Sequence, residues 1–389
     1  MRPSADKTAG GPAQQNPGGN TPESGETPRV WALVEPGEAA SPQVRALAGA
    51  LGWGHTEITL GPASALSPPA PWPGAAPRCV RGASPALSAP WPDLVIAGGA
   101  RGSAAARWLR ARAGTRTRLV QLGHPGGPLT AFDLVVATPF PGAAAHSNVL
   151  TNLLPLNPLI TDDLSRAAWL WRDGMAHLAR PRVACVVGGR TATHTVDVAT
   201  AQRLARHADA LARKAGGSVL LATRPGTPAV IAAAAQACLS APHSVHRADA
   251  DSAGEQAHTA CLALADRLVM SGEGLDGLAT ACATGKPTHV VPAQPRLLAR
   301  LDRLAARLDR RPSTRRRHRR VVEAAHDALV TQGYARWRDG ALEVHTPPQG
   351  TADPLTRAVV AVRRMFGVKP GPPPHVTRTE AQAAARRRV

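Results

Sequence analysis

Short apolar runs alternate with helical periods along this chain, and glycine-rich turns separate them. Val30 to Val34 (VWALV) predicts a first strand, followed by a loop from Glu35 to Pro42 and a helix from about Gln43 to Leu51. Val44, Leu47, Ala48 and Leu51 share one face of that helix, and Gly52 closes it. Asp93 to Ala97 (DLVIA) predicts a second strand, whose turn Gly98-Gly99-Ala100-Arg101-Gly102-Ser103 leads into a helix over Ala104 to Arg112. Leu119 to Leu122 and Leu134 to Ala137 predict two more strands. The proline-rich stretch from Gly61 to Pro92 has no assignable period, and Asn148 to Pro158 reads as a connector before a helix around Asp162 to Leu178.

The plan then repeats. Val183 to Val187 predicts a strand ending in Gly188-Gly189-Arg190-Thr191, and Val198 to Lys214 a long amphipathic helix. Ser218 to Ala222 predicts a strand that runs into Thr223-Arg224-Pro225-Gly226, with a helix over Ala229 to Cys238. Val245 marks a weak strand, and Glu255 to Ala265 a helix. The best-defined unit follows, from Ala265 to Pro292. Leu268 to Met270 predicts a strand, Ser271-Gly272-Glu273-Gly274 a tight turn, and Leu275 to Thr284 a short helix stopped by Gly285; Lys286-Pro287 opens a strand over Thr288 to Val291. A strand, a glycine turn and a helix N-terminus together present bare amides and the positive end of a dipole, which suits a phosphate. An ordinary crossover without a ligand fits the same residues. Helices over Leu297 to Leu308, Arg315 to Gln332 and Asp353 to Phe366 close the chain.

Repeated strand–helix alternation predicts an α/β protein of two Rossmann-like domains facing across a cleft, with C-terminal helices packing back. The expected boundaries are a disordered segment over 1–28, an N-terminal domain over 29–157, a second domain over 181–310, closing helices over 311–367 and a basic disordered tail over 368–389. Loops at the strand C-termini are the expected functional face.

Composition narrows the class. The chain has 389 residues, enough for two cores, and 43% are apolar. No run reaches the roughly 20 apolar residues of a membrane span, and the N-terminus reads as lacking a secretory signal. The five cysteines are scattered with no CxxC or Cys/His spacing, so no zinc site, metal or disulfide framework is expected, and a reducing cytoplasm fits. The formal net charge of +19 raises nucleic acid and anionic membrane as partners. Only 3% of residues are aromatic, which argues against a single-strand nucleic-acid binder. The arginine clusters at 310–320 and 386–388 read as solvated faces that also suit an acidic membrane surface, hence a cytoplasmic protein peripheral at the inner membrane. Neither a Gly-x-Gly-x-x-Gly nor a P-loop pattern is present, which counts against NAD and ATP, and no cofactor is expected.

Several segments together resemble one family. They are Trp31-Ala32-Leu33, Pro92-Asp93-Leu94-Val95-Ile96, Arg107-Trp108-Leu109 and Phe132-Asp133-Leu134-Val135-Val136 in the first half. In the second half they are Pro181-Arg182-Val183, Gly188-Gly189, Thr223-Arg224, His326-Asp327-Ala328-Leu329 and, most specifically, Ala281 to Pro287 (ACATGKP). The resemblance spans roughly residues 30 to 367 and is to the mitochondrial-fission family named for elongated mitochondria, whose bacterial members carry the name glycosyltransferase. It implies a GT-B-like fold with a nucleotide-sugar donor on the second domain and an acceptor on the first. Gly188 and Gly189 would let a phosphate approach the backbone, and Arg190 and Arg224 would add charge-assisted bonds. Thr223, Ser271, Gly272, Glu273, Gly274, Thr280 and Lys286 complete the expected donor site, with no metal because helix dipole and arginines balance the leaving diphosphate. His124 and Glu35 are the candidate bases toward an acceptor hydroxyl; Glu38 and the Gly98-Gly99 turn lie in the same loops. Each also reads as an ordinary loop residue, and Lys286 as a complement to a helix C-terminus.

The family places Asp-Ser before the key helix and a Glu inside it; here the matching positions are Glu273-Gly274 and Thr280. Thr280 offers one hydroxyl where a carboxylate would hold two ribose hydroxyls. Two readings stay open: transfer of a sugar from a nucleotide diphosphate to a cell-envelope acceptor, or a non-catalytic interaction protein on the same fold, as in plant fission factors.

Overall fold

The computed structural model describes residues 27–36, 38, 40–61, 78–85, 87–139, 146–157, 161–191, 194–248, 252–295, 314–344 and 353–368. Two sheets organise them. The first is six-stranded and wholly parallel. Its strands are β1 (Val30–Val34), β2 (His55–Thr59), β3 (Leu94–Gly98), β4 (Arg118–Leu122), β5 (Leu134–Ala137) and β6 (Val149–Thr151), in the order β2-β1-β3-β4-β5-β6. Helices α1 (Ser41–Ala50), α2 (Arg78–Arg81) and α3 (Gly99–Ala113) accompany it. β1 and β3 are buried along their whole length, as expected where helices cover both faces and the strand reads as one apolar run.

After α4 (Thr161–Trp171) the second sheet begins. Its strands are β7 (Arg182–Val187), β9 (Ser218–Thr223), β10 (His243–His246), β11 (Arg267–Ser271) and β12 (Thr288–Val291), joined by a hairpin of β14 (Ala335–Arg338) and β15 (Ala341–Val344). The order is β10-β9-β7-β11-β12-β15-β14, parallel except for the hairpin. A two-stranded ribbon pairs β8 (His194–Thr195) with β13 (Gln294–Pro295). Helices α5 (Val198–Lys214), α6 (Ala229–Gln236), α7 (Ser252–Leu264) and α8 (Leu275–Ala283) supply the crossovers, with α9 (Thr314–Thr331) before the hairpin. α5 shows how sequence fixes such an element. The Asp197 carboxylate accepts from the Thr200 amide and caps its start, worth about 1 kcal/mol, while Ala201, Leu204, Ala205, Ala208 and Ala212 form one buried stripe.

The chain exchanges segments between the two halves. Leu154, Ala167, Met175 and Leu178 belong to the core of the second half, so the connector changes sides right after β6. The last helix, α10 (Pro354–Met365), returns to the first half, where Ala358, Val359 and Val362 pack with Val44, Leu47 and Leu51. Arg363 donates to the Leu51 carbonyl at 2.8 Å and Arg357 to the Thr151 carbonyl at 3.2 Å. The architecture is GT-B-like: two Rossmann-like halves with the C-terminal helix packed back on the first.

Three elements depart from the expected plan. β2 and β6 occupy sheet edges, β2 where no element was predicted and β6 within the expected connector, and the hairpin inserts into the closing helical region and extends the second sheet to Val344. The expected helix over Leu297 to Leu308, the N-terminal segment, the basic tail and the side chains of both arginine clusters lie outside the described residues. Among the described residues no helix is long and apolar enough to cross a membrane.

Candidate functional site

In each sheet one gap between neighbouring strands is the point where the chain order reverses, and loops at the C-terminal ends diverge there to leave a crevice. In the second sheet that gap lies between β7 and β11. Gly188 and Gly189 leave β7 and Ser271 to Gly274 leave β11, so the two glycine turns meet by topology alone. The Gly188 amide donates to Ser271 Oγ at 2.8 Å, which ties the turns together. Gly272 is required by crowding: a Cβ there would stand 2.9 Å from Val290 Cγ1.

Glu273 is the dominant charge. It is 3% exposed, its Oε1 lies 3.6 Å from Arg224 Nη1, and its Oε2 has no hydrogen-bond partner. A Cβ on Gly188 would land on this carboxylate, so the glycine leaves the space that Glu273 fills. Burial pushes the Glu273 carboxyl up, against the pull of Arg224 and the Ser271 hydroxyl. Thr191 donates to the Glu273 carbonyl at 3.2 Å, and its hydroxyl accepts from the His194 amide at 3.0 Å. Arg224 follows β9, its amide bonded to the Val187 carbonyl, and its guanidinium lies over the first turn of α8: a Cβ on Gly277 would be 3.3 Å from Nη1.

α8 starts at Leu275 from an extended Gly274, with no side-chain cap, and aims its first amides into the same crevice. Asp276 in that first turn faces the other half, where Gln43 Nε2 donates to its Oδ1 at 3.1 Å. Burial raises the Asp276 carboxyl; Arg224 and Gln43 oppose the rise and Glu38 adds to it. The first half contributes its own switch point between β1 and β3. Glu35 follows β1 and pairs with Arg101, which also donates to the Gly61 carbonyl, and the Glu38 side chain rests on Gly99, whose φ of +66° only glycine adopts easily. The crevices of the two sheets therefore face each other. Beside them, a cavity of about 110 Å³ is lined by Ala40, Gln43, Leu122, Gly123, Asn152 and Leu156, among others. Asn152 Oδ1 is buried there without a partner.

Of the expected donor residues, Gly188, Gly189, Arg224, Ser271, Gly272, Glu273 and Gly274 gather at the crevice. Arg190 is exposed on the turn beyond it, its backbone bridged to Thr195. Thr223 is turned away: it is 3% exposed and its hydroxyl accepts from the Ala248 amide at 3.1 Å. Thr280 is engaged one turn into α8, donating to the Asp276 carbonyl at 3.0 Å and to Asn157 Oδ1 at 3.3 Å. Lys286 stands apart from them all. Its Nζ donates to the Leu262 and Ala263 carbonyls at 2.7 and 2.5 Å, near the end of α7 and at the N-terminal edge of the sheet. Its place in the donor site is corrected on this ground: a helix separates it from the crevice, and it serves the C-terminal carbonyls of α7. Burial lowers its ammonium to about 8.

His124 Nδ1 accepts from the Gly126 amide at 3.0 Å within its own turn, and the cavity lining reaches Gly123 without it. Gln43, Asp276 and Asn157 were not singled out in the sequence as site residues. An acidic residue in the first turn of a helix was the available signal for Asp276, and it also marks ordinary helix starts. Among the described residues no group of three or more His, Cys, Asp or Glu side chains is placed to hold a metal ion.

The solved structures that resemble the chain include two bound to uridine nucleotides. The S. aureus MnaA–UDP co-structure shares 10% identity at a TM-score of 0.45, covering 88% of this chain and 99% of that one. UDP-GlcNAc 2-epimerase from Neisseria meningitidis bound to UDP-GlcNAc shares 11% at a TM-score of 0.39, covering 78% and 92%. No curated protein matches. The family described as Mitochondrial fission ELM1 matches residues 39–362, most of the chain, and the chain belongs to that family.

Proposed function

We propose that the chain binds a nucleotide-sugar in the crevice of its second half and transfers the sugar to an acceptor held against the first. One observation carries this reading: the Gly188 turn, the Ser271–Gly274 turn, the uncapped start of α8 and Arg224 converge on one place that faces the other half. The uncapped amides at the start of α8, the helix dipole and one guanidinium are groups that hold a diphosphate and stabilise it as it leaves. Glu35 or His124 would take the acceptor proton, and the acceptor would be a cell-envelope molecule at the inner membrane face. Thermal-shift titration with UDP-, GDP-, ADP- and CMP-sugars tests the binding step. A rise in Tm with one base supports it, and no shift with any overturns it.

A second reading has its own support. Gln43–Asp276 and Thr280–Asn157 already use polar groups beside the crevice, and Glu273 already fills the gap at Gly188. A closed site of this kind suits an interaction protein that keeps the fold without the chemistry. Capture of a partner that is indifferent to every nucleotide-sugar, together with no thermal shift, would favour it.

A further inference from the structure

We propose that an anionic ligand enters the second-half crevice by displacing the Glu273 carboxylate from Arg224, and that Glu273 takes up a proton as this happens. The inference rests on the nucleotide-sugar reading and names how that site is regulated. Its basis is geometric. The carboxylate sits against Gly188, 3.6 Å from Arg224 Nη1, with Oε2 buried and unpartnered. Those surroundings are what the crevice offers a phosphate, so the chain's own carboxylate stands as the anion of the unliganded site.

A phosphate and an ionised Glu273 cannot share this space at little cost. Two like charges brought against the same guanidinium in a buried, low-dielectric site repel strongly. The other groups facing Glu273 give no relief. Ser271 and Thr191 are neutral hydroxyls, and Arg224 also acts on Asp276, to which Glu38 across the cleft adds negative charge. His258 on α7, beside Arg224, is held neutral by burial, which lowers it to about 4. His326 on α9, 3.7 Å from where a Cβ on Gly272 would lie, is lowered by burial as well, and His194 on β8 adds to that lowering. Arg224 is thus the cation for which both anions compete. Proton transfer from solvent to the carboxylate removes one of them: the O–H bond forms on Glu273, Arg224 passes to the phosphate, and the carboxylic acid is left able to donate to a phosphate oxygen. The raised carboxyl of Glu273 agrees with this.

The test is calorimetry with UDP-GlcNAc, and with GDP-, ADP- and CMP-sugars, in two buffers of different ionisation heat. Wild type is expected to take up about one proton per ligand, and its affinity to fall by up to about tenfold per pH unit above the pKa of free Glu273. The isosteric Glu273→Gln variant is expected to take up none, to show no such fall, and to bind more tightly at about pH 8. Binding without proton uptake, with Glu273→Gln weakened, would mean that the carboxylate stays and accepts from a ligand hydroxyl; that overturns displacement and leaves nucleotide-sugar binding intact. Binding by neither protein at any pH overturns both. Should the variant not fold, the proton count on wild type alone decides.

Discussion

Gln43 donates to Asp276 across the cleft at 3.1 Å, joining the first turn of the helix after β1 to the first turn of the helix after β11. It ties together the two elements that line the facing crevices. Gln43→Ala would leave a largely buried carboxylate without this donor. The expected cost is about 1–3 kcal/mol in urea denaturation, with a larger radius of gyration in solution scattering as the halves separate. Unchanged stability and size would show that the contact holds nothing.

Gly188 and Glu273 form a second testable pair. Gly188 does not have a positive φ, so Gly188→Ala meets no backbone penalty, only the carboxylate. The single variant is expected to lose about 2 kcal/mol, and Glu273→Ala in the same chain to recover most of it, a non-additivity of about 1–3 kcal/mol. Additive losses would mean that the two residues are not in contact.

Much of the fold was legible because its strands are buried on both faces and read as short apolar runs. β12 and α5 have the bounds that their periodicity predicts. β2 (HTEIT) was not legible: it is an edge strand whose first three residues are exposed, so no apolar run marks it. The hairpin was missed although Asp339-Gly340, both at positive φ, is a strong two-residue turn signal. Its flanks, Arg336-Trp337-Arg338, are exposed and gave no alternation.

The site divides in the same way. Glycine turns after strands are visible in sequence, and they did converge. Whether Glu273 faces solvent or fills the gap at Gly188 depends on contacts between turns 83 or more residues apart, which spacing does not encode. Lys286 misleads for the opposite reason: it lies close in sequence to α8 but at the other end of the strands.

Lys286→Met is therefore expected to leave nucleotide-sugar binding within about twofold of wild type while lowering Tm, because two carbonyls at the end of α7 lose their donor. In wild type the native ammonium, at about 8, holds its proton less firmly than in the unfolded chain. The native state thus binds fewer protons above that value, and stability gains as pH rises toward the unfolded lysine range. Denaturation of both proteins across that window checks the sign, and the gain should be missing from Lys286→Met.

His258 sets an acid limit. Burial lowers it to about 4, so between the ordinary histidine value and that point the unfolded chain binds a proton that the native state does not. Its contribution is fully present above the unfolded value and is lost as pH falls through the window, about 3 kcal/mol in all. His258→Leu should flatten this acid limb in denaturation curves; an unaltered slope would contradict it.

The most direct measurement is a crystal structure of the protein with the nucleotide-sugar that gives the largest thermal shift. Diphosphate oxygens within about 3.2 Å of Arg224 and of the amides at Gly189 or the start of α8, with the Glu273 side chain moved off Gly188, are the predicted result. A nucleotide bound against Gly98 and Gly99 in the first half, or an unaltered Glu273 with an empty crevice, would contradict it.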